Sequence, residues 1–537
     1  MFERAKTAFV CAAAIVCHAC SGGGAAGPAG TKQLDASADR SQPVLDGGAA
    51  HGSDAVGGDA GEGGAACLHP ELEPPRGKLG IPTEWVAAPA TPAGAGFFIG
   101  KTIWAAVDSQ GNLVTVRSYS AGPAFVVERR DPSGNVTLEK AFGTGTFVIP
   151  GSPYTQPQAL GATPDGGIII AGAFIGTVDF GLGPLTSRPP AGPQPTCGGG
   201  CEDGGCPDGG PSNVAAPLPD AQPDLFVLKL NGSGAPLYNL QFGDPYDQEF
   251  TSMATDQSGN AVLSGVMTGT VDFGGGPRAS VDGPAGFVLK LDSSGHHVFS
   301  TLFGQGCDAP SLTQVAADQH GNTVVAYQGT VAVAGMPVQG AGVFELDPTG
   351  AIRWVRGGLS PSGIITIAVG GDGSIAVAGT PPATDLGCGP VTSDTGFQTS
   401  GFVTALAPDG QTRWARTFNA NSMSPLITPF AVTIDATGSV AVGGEIRGDY
   451  DLGGGRLTVP PGYAIDAFLA KFDVSGHHVW SGQSAGSDSV NATLWTIVPG
   501  SNGSLYGGGS YSGAPDFGTG PLPSTAQELQ FVGRFGP

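Results

Sequence analysis

The residues that could do chemistry in this chain are few, and their spacing argues mostly for structure. Cys197, Cys201 and Cys206 lie in C-G-G-G-C-E-D-G-G-C, inside a Pro/Gly-rich stretch from Arg188 to Pro223. Three thiolates could meet a fourth ligand around a metal, but the spacing is not C-x2-C and no histidine is near. With Cys67, Cys307 and Cys388 they make an even set of six, for which disulfides of open connectivity are the expectation in an oxidising compartment. Asp179, Asp272, Asp385, Asp451 and Asp516 head D-F-G or D-L-G loops and are the candidate binding-face residues. Their local alternative is that each carboxylate caps its own turn while the Phe or Leu plugs the core. His296-His297 and His477-His478 suggest metal or acid–base chemistry at first sight, yet they belong to separate repeats and read as exposed turn residues. No G-x-S-x-G elbow, H-E-x-x-H pair or Ser-His-Asp order stands out, so no catalytic residue, metal or cofactor is assigned.

The elements that carry these residues repeat. A unit of roughly 60 residues recurs seven times from about residue 95 onward. An anchor glycine marks its first turn at Gly111, Gly166, Gly259, Gly321, Gly373, Gly438 and Gly503. A phenylalanine in its third strand falls at Phe125, Phe226, Phe287, Phe344, Phe402, Phe468 and Phe531. Turns such as Asp256 to Asn260 lack the alternating oxygen ligands of a calcium loop and are what a tight hairpin needs. With 92 Gly, 45 Pro and 13% charged residues, long helices are excluded and turn-rich β-structure remains. The fold expected is all-β: a seven-bladed β-propeller of four-stranded antiparallel blades.

Units one to six each carry a large side chain in a fourth strand, at Leu138, Tyr238, Phe299, Trp354, Trp414 and Trp480. Unit seven reaches Phe531 without one, whereas Thr83-Glu84-Trp85-Val86-Ala87 precedes unit one. Open sheet edges leave backbone groups unpaired, so Trp85 is expected to complete blade seven beside the strand of Phe531 and close the ring.

Ahead of the propeller, expected over 79–537 with its 188–223 insertion in blade two, residues 1–20 read as a signal peptide. Arg4 and Lys6 precede an apolar run too short to span a membrane. Small residues around Cys20 suggest a lipobox, with cleavage at an A-x-A-like site as the alternative. Residues 21–78, rich in Gly, Ala and Asp, cannot bury enough apolar area to offset ordering and read as a disordered tether. The net charge of −22, with only 23 Lys and Arg, argues against nucleic acid.

The succession D-x-x-G-N, G-T-V-D-F-G-G-G-P, D-A-F-L-A-K-F-D-V-S-G from Asp466 and H-H-V-W-S from His477 resembles the SBBP β-propeller repeats of bacterial secreted and surface proteins. That resemblance covers nearly all of the chain from about Thr83, is weaker where Arg129-Arg130 and Glu345 replace the usual lysine, and brings no catalytic residues with it. It implies an extracytoplasmic propeller, and with the lipobox reading of Cys20 the expectation is a monomer that is either a lipoprotein attached to the outer membrane or a periplasmic or cell-surface protein. Its function is read as non-catalytic binding of an unknown protein or glycan, with membrane contact only through the lipid. A channel-centred polysaccharide lyase or hydrolase and a structural envelope component are the alternatives. Acylation at Cys20 has a direct readout: the mature protein should begin at a modified Cys20 by mass spectrometry, and Cys20→Ala should release it from membranes. An unmodified mature N-terminus at any other residue overturns it.

Overall fold

The structure is a computed structural model that describes residues 66–68, 78–92, 103–119, 122–143, 154–189, 222–281, 283–304, 310–333, 336–360, 365–380, 385–388, 401–418, 426–459, 464–486 and 490–537. The proposed leader, Cys20 and its lipid, Cys197, Cys201, Cys206 and Cys307 lie outside these residues.

Seven four-stranded antiparallel blades form the ring. Their inner strands are Ile103–Val107, Tyr154–Ala162, Gln248–Thr255, Ser311–Ala317, Ile365–Val369, Leu426–Ile434 and Asn491–Pro499. Each packs against the inner strand of both neighbours, and Asn491–Pro499 meets Ile103–Val107, so the circle is complete. Every anchor glycine adopts a left-handed conformation, with φ between +75° and +81°, which favours glycine over residues with a Cβ. All seven third-strand phenylalanines are fully buried between blades.

The turn aspartates act locally. Asp256 accepts the amides of Ser258 and Asn260 at 2.9 and 3.0 Å and the Asn260 side-chain amide at 2.8 Å. Asp108 and Asp318 do the same in their own blades. The third-strand cation ties this turn to the next blade. Lys290 pairs with Asp256 at 3.1 Å and donates to the carbonyl of Gly321, the next anchor glycine, at 2.9 Å. Lys471 bridges Asp435 and Gly503 in the same way, and Arg129 bridges Asp108 and Gly166. In blade four Glu345 stands in the lysine's place and pairs instead with Arg353 at 2.9 Å.

A second stitch comes from the outer strands. Their large side chains lie on the glycine of the third-to-fourth turn of the following blade: Leu138 on Gly234, Tyr238 on Gly295, Phe299 on Gly350, Trp354 on Gly410. The indoles of Trp354 and Trp414 donate to Pro408 and Val474 carbonyls of those turns, both at 3.0 Å. Trp85 completes the series. Thr83–Ala87 pairs antiparallel with Thr525–Phe535, Trp85 sits opposite Arg534 as Trp480 sits opposite Lys471, and its ring lies against Gly134 of blade one. Its indole donates to the Pro132 carbonyl at 3.2 Å, and Glu84 pairs with Arg534 at 2.8 Å.

The segment ahead of Thr83 also engages the ring. Ala66–Leu68 pairs parallel with the outer strand of blade five and Lys78–Leu79 with that of blade six. Contact with the blades therefore begins inside the stretch expected to be tether, because strands of two or three residues leave no compositional mark.

The aspartates of the D-F-G loops are not on the ring face where they were expected. Thr177–Asp179 with Pro184–Thr186, Thr270–Asp272 with Pro277–Ala279, and Asp449–Asp451 with Arg456–Thr458 form small hairpins. Each folds back along its blade, so that the tip reaches the start of the outer strand. A Cβ on Gly275 or Gly454 would strike the rings of His297 or His478 at 2.2 and 2.3 Å. The fold-back is driven by burial of Phe180, Phe273, Leu386, Leu452 and Phe517 between blades.

Closure through Trp85 predicts that Trp85→Ala costs about 2–3 kcal/mol, somewhat below the ~3–5 of a fully buried tryptophan, because its ring is only half-buried. Thermal melting reads this as a clear fall in midpoint. A variant lacking 79–90 that melts like the parent excludes the closure.

Candidate functional site

An inner strand turns one edge to the central channel, and there the chain breaks its own regularity. In blades two, three, four, six and seven the pairing of inner with second strand skips one residue. The extra residues are Gln158, Thr251, Thr313, Phe430 and Trp495, each half-buried beside buried neighbours. A bulge of this kind re-aims a side chain. The inner strands of blades one and five are five residues long and regular.

Across blades two to five, polar side chains at or beside the bulges accept backbone amides from the next inner strand. Gln158 Oε1 takes the Phe250 N–H at 3.2 Å, Ser252 Oγ takes that of Val315 at 3.2 Å, and Gln314 Oε1 takes that of Ile367 at 2.8 Å. These groups serve amides on the channel-side edge, which has no further strand to pair with. On the remaining arc the bulges carry Phe430 and Trp495, whose ring centroids are 4.5 Å apart.

Two carboxyls stand at the channel mouth, where the connection from blade two enters the inner strand of blade three. Asp247 and Glu249 alternate with buried Gln248 and Phe250 and so share one side of the strand. Gln158 Nε2 donates to Glu249 Oε1 at 3.3 Å. Both carboxyls are exposed to water, yet protein surrounds them closely enough to weaken their hydration. That desolvation, with the charge of Asp247 added, pushes Glu249 up to about 7, and Asp247 is raised by the same loss of hydration. Among the described residues neither has a cationic partner. Tyr154, at the start of the neighbouring inner strand, is raised by burial first and then by these two negative charges. Glu445, at the same end of blade six, receives the Thr493 hydroxyl at 3.2 Å.

None of these groups was singled out from the sequence. They share no motif, since they are spread over several blades without repeating from one to the next, and a single residue at a bulge leaves no periodic signal. The residues that were singled out lie elsewhere. Asp179, Asp272, Asp451 and Asp516 each spend Oδ1 on two amides of their own hairpin, and Asp385 accepts the Gly387 amide at 2.6 Å. Phe531 is a core residue of blade seven. Cys388 is half-buried in the blade-five cluster, and Cys67 lies opposite Ala415 in register. The histidine pairs are only partly the exposed turns expected: His296 is 81% exposed beside Asp292, whereas His478 is buried under the hairpin of its own blade. Among the described residues no group of three or more His, Cys, Asp or Glu side chains is placed to hold a metal ion. A cleft of about 430 Å³ between Pro277–Ala279 and Ser300–Leu302 is open and shallow, and Arg278 there already bonds Ser300 at 3.2 Å.

No family model matches the chain, and no curated protein matches it either. Among solved structures it is similar to a protein of unknown function from Bacteroides caccae, at 14% identity and TM-score 0.34 over 69% of this chain and 93% of that one. An unknown-function protein from Dyadobacter fermentans aligns at 11% identity and TM-score 0.38 over 85% and 99%. A puromycin hydrolase aligns at 12% identity and TM-score 0.41 over 84% of this chain and 57% of that chain.

The raised carboxyl gives a pH signature. Glu249 has a higher pKa in the fold than its ordinary 4.5, so its contribution to stability is complete below about pH 4.5 and is lost as pH rises through about 7. Glu249→Gln should therefore flatten the fall in melting temperature between about pH 4.5 and 7 relative to the parent. Identical profiles for the two proteins would show that the carboxyl is fully hydrated.

Proposed function

We propose that this protein is a non-catalytic, extracytoplasmic binding protein that receives its protein or glycan partner at the channel mouth bearing Asp247, Glu249, Tyr154 and Glu445. The observation that carries this reading is the unneutralised Asp247–Glu249 pair. Two carboxyls close together on one side of the strand, with no cationic partner among the described residues, are suited to a ligand that donates hydrogen bonds. The connection that contains the 188–223 insertion leaves blade two at this same end of the ring. Loops mounted on a rigid scaffold are where recognition concentrates, and this insertion is the largest break in the ring's near-symmetry.

A second reading, a hydrolase working in the channel, is favoured by one feature: Glu249 is poised near neutrality beside a second carboxyl, as a general acid with its partner would be.

One experiment separates the two. The mature chain is immobilised and exposed to a glycan array and to the outer-surface fraction of the source cells, with products followed as new reducing ends or peptide termini. Binding predicts capture without products, lost in the Asp247→Asn/Glu249→Gln double variant and after replacement of 190–221 by a short Gly-Ser link. Product formation that Glu249→Gln abolishes while capture persists replaces the binder with the enzyme. Undiminished capture by the double variant excludes the mouth altogether.

A further inference from the structure

The aromatic arc of the channel wall names a ligand class, and this inference rests on the reading of the channel mouth as a binding site. Phe430 and Trp495 are the extra residues at the bulges of blades six and seven, and their rings meet at 4.5 Å with their planes 41° apart. Trp495 also packs against the cluster of Ile103, Leu113, Tyr506 and Val532 between blades seven and one, and its indole donates to Ser510 Oγ at 2.9 Å. A ring that touches blade six on one side and the cluster between blades seven and one on the other lies across the inner strand of its own blade. Both rings are half-buried. In an apolar core they would be covered; here they stay partly open beside polar groups.

Those polar groups are on the page. Glu445 lies opposite Thr428 in register, two residues before Phe430, and it accepts the hydroxyl of Thr493, two residues before Trp495, at 3.2 Å. The two threonines therefore sit on the strands that carry the two rings, and the carboxylate sits on the strand paired with that of Phe430. A carboxylate retains acceptor capacity beyond two hydroxyl donors. An aromatic face beside in-plane hydrogen-bonding groups suits a ring whose faces are C–H and whose edges are hydroxyl, because the π face is negative and C–H groups are slightly positive.

We propose that Phe430 and Trp495, with Glu445 and Thr493 at their edge, form a subsite for one pyranose ring of a neutral glycan. Charge selects neutrality from both directions. Glu445 repels uronic and other acidic sugars, and Arg447, two residues further along the same strand, disfavours a cationic ligand.

The test titrates the intact mature chain with neutral tetrasaccharides of β-linked glucose, N-acetylglucosamine and mannose. A galacturonate tetramer and tetralysine serve as charged comparators, with calorimetry and tryptophan fluorescence as readouts. At least one neutral tetrasaccharide should bind. Trp495→Ala and Phe430→Ala should each weaken it about tenfold or more, as loss of an anchoring aromatic does, while Trp495→Phe stays within about threefold. Glu445→Gln should weaken it too and should relax the discrimination against the galacturonate tetramer. Because Trp495 also supports the blade-seven boundary, melting is measured for each variant, and Phe430→Ala and Trp495→Phe decide if Trp495→Ala fails to fold. The subsite is overturned if no neutral sugar binds at millimolar concentration, if a charged comparator binds more tightly, or if both aromatic variants bind like the parent. Loss of capture in the Asp247→Asn/Glu249→Gln variant with no effect of the aromatic changes leaves the mouth as a binding site and rejects the sugar subsite alone.

Discussion

A ring of sheets must hold each blade against the next with the same strength all the way round, because its weakest boundary is where it opens. Here that requirement is met by one repeated contact: the large side chain of an outer strand lies on the turn glycine of the following blade, and where it is tryptophan its indole can reach that turn's carbonyl. Trp85 makes this contact from the far end of the chain. The cost of that solution is visible one blade earlier. The third and fourth strands of blade seven are not joined by a turn, so Trp480 has no turn to reach, and among the described residues its buried indole nitrogen has no hydrogen-bond partner. The seam is thus sealed on one side at the expense of one unsatisfied donor on the other.

With the perimeter fixed in this way, the inner edge is left to vary. Five inner strands carry an extra residue and two do not, and the bulged strands divide into a polar arc and an aromatic one. The polar arc has a structural duty, since Gln158, Ser252 and Gln314 each satisfy an amide of the next strand. Phe430 and Trp495 accept no such amide, although Trp495 packs on the cluster between blades seven and one. Stacking two rings at the edge of a channel leaves apolar surface partly in water, which a fold under selection for stability alone would cover. That difference between the two arcs is why the proposed sugar subsite is placed on the aromatic one.

The parts of this architecture that were legible in the sequence are those that recur. The anchor glycines repeat because a left-handed turn residue is required seven times, and the third-strand cation repeats because most blades use it to grip the next. Trp85 could be placed because it fills a gap in a series. What was not legible occurs once. Glu249 is an ordinary glutamate in sequence, and only the loss of hydration at its place in the fold, with the charge of Asp247 added, raises it to about 7. Gln158, Thr251, Thr313, Phe430 and Trp495 share a backbone irregularity and no side-chain type, so no alignment of the repeats by residue identity would group them. The D-F-G hairpins misled in the opposite sense: they recur, and the loops that bear them start on the ring face, but burial of the phenylalanine draws the tip back along the blade.

The outer perimeter shows how edge protection and recognition are kept apart. Each outer strand is exposed to pairing by another chain, and each carries a bulge one residue before its large side chain, at Thr137, Leu237, Val298, Arg353, Arg413, Val479 and, in blade seven, Glu84. A bulge at a sheet edge interrupts the row of unpaired amides and carbonyls that would template another strand. Blades five and six are covered further, by the chain's own strands at Ala66–Leu68 and Lys78–Leu79. Leu237 and Val298 remain 52% and 45% exposed on the uncovered blades, while the equivalent Val479 of blade six is half-buried. With Val136 of blade one, 47% exposed, these are three aliphatic side chains on three separate blades, each on an interrupted edge, and they offer a partner little continuous apolar surface. The inner edge holds partly open rings at Phe430 and Trp495, and the mouth holds the carboxyls of Asp247 and Glu249 on a different arc; these, rather than the perimeter, are the groups the proposed ligand would meet.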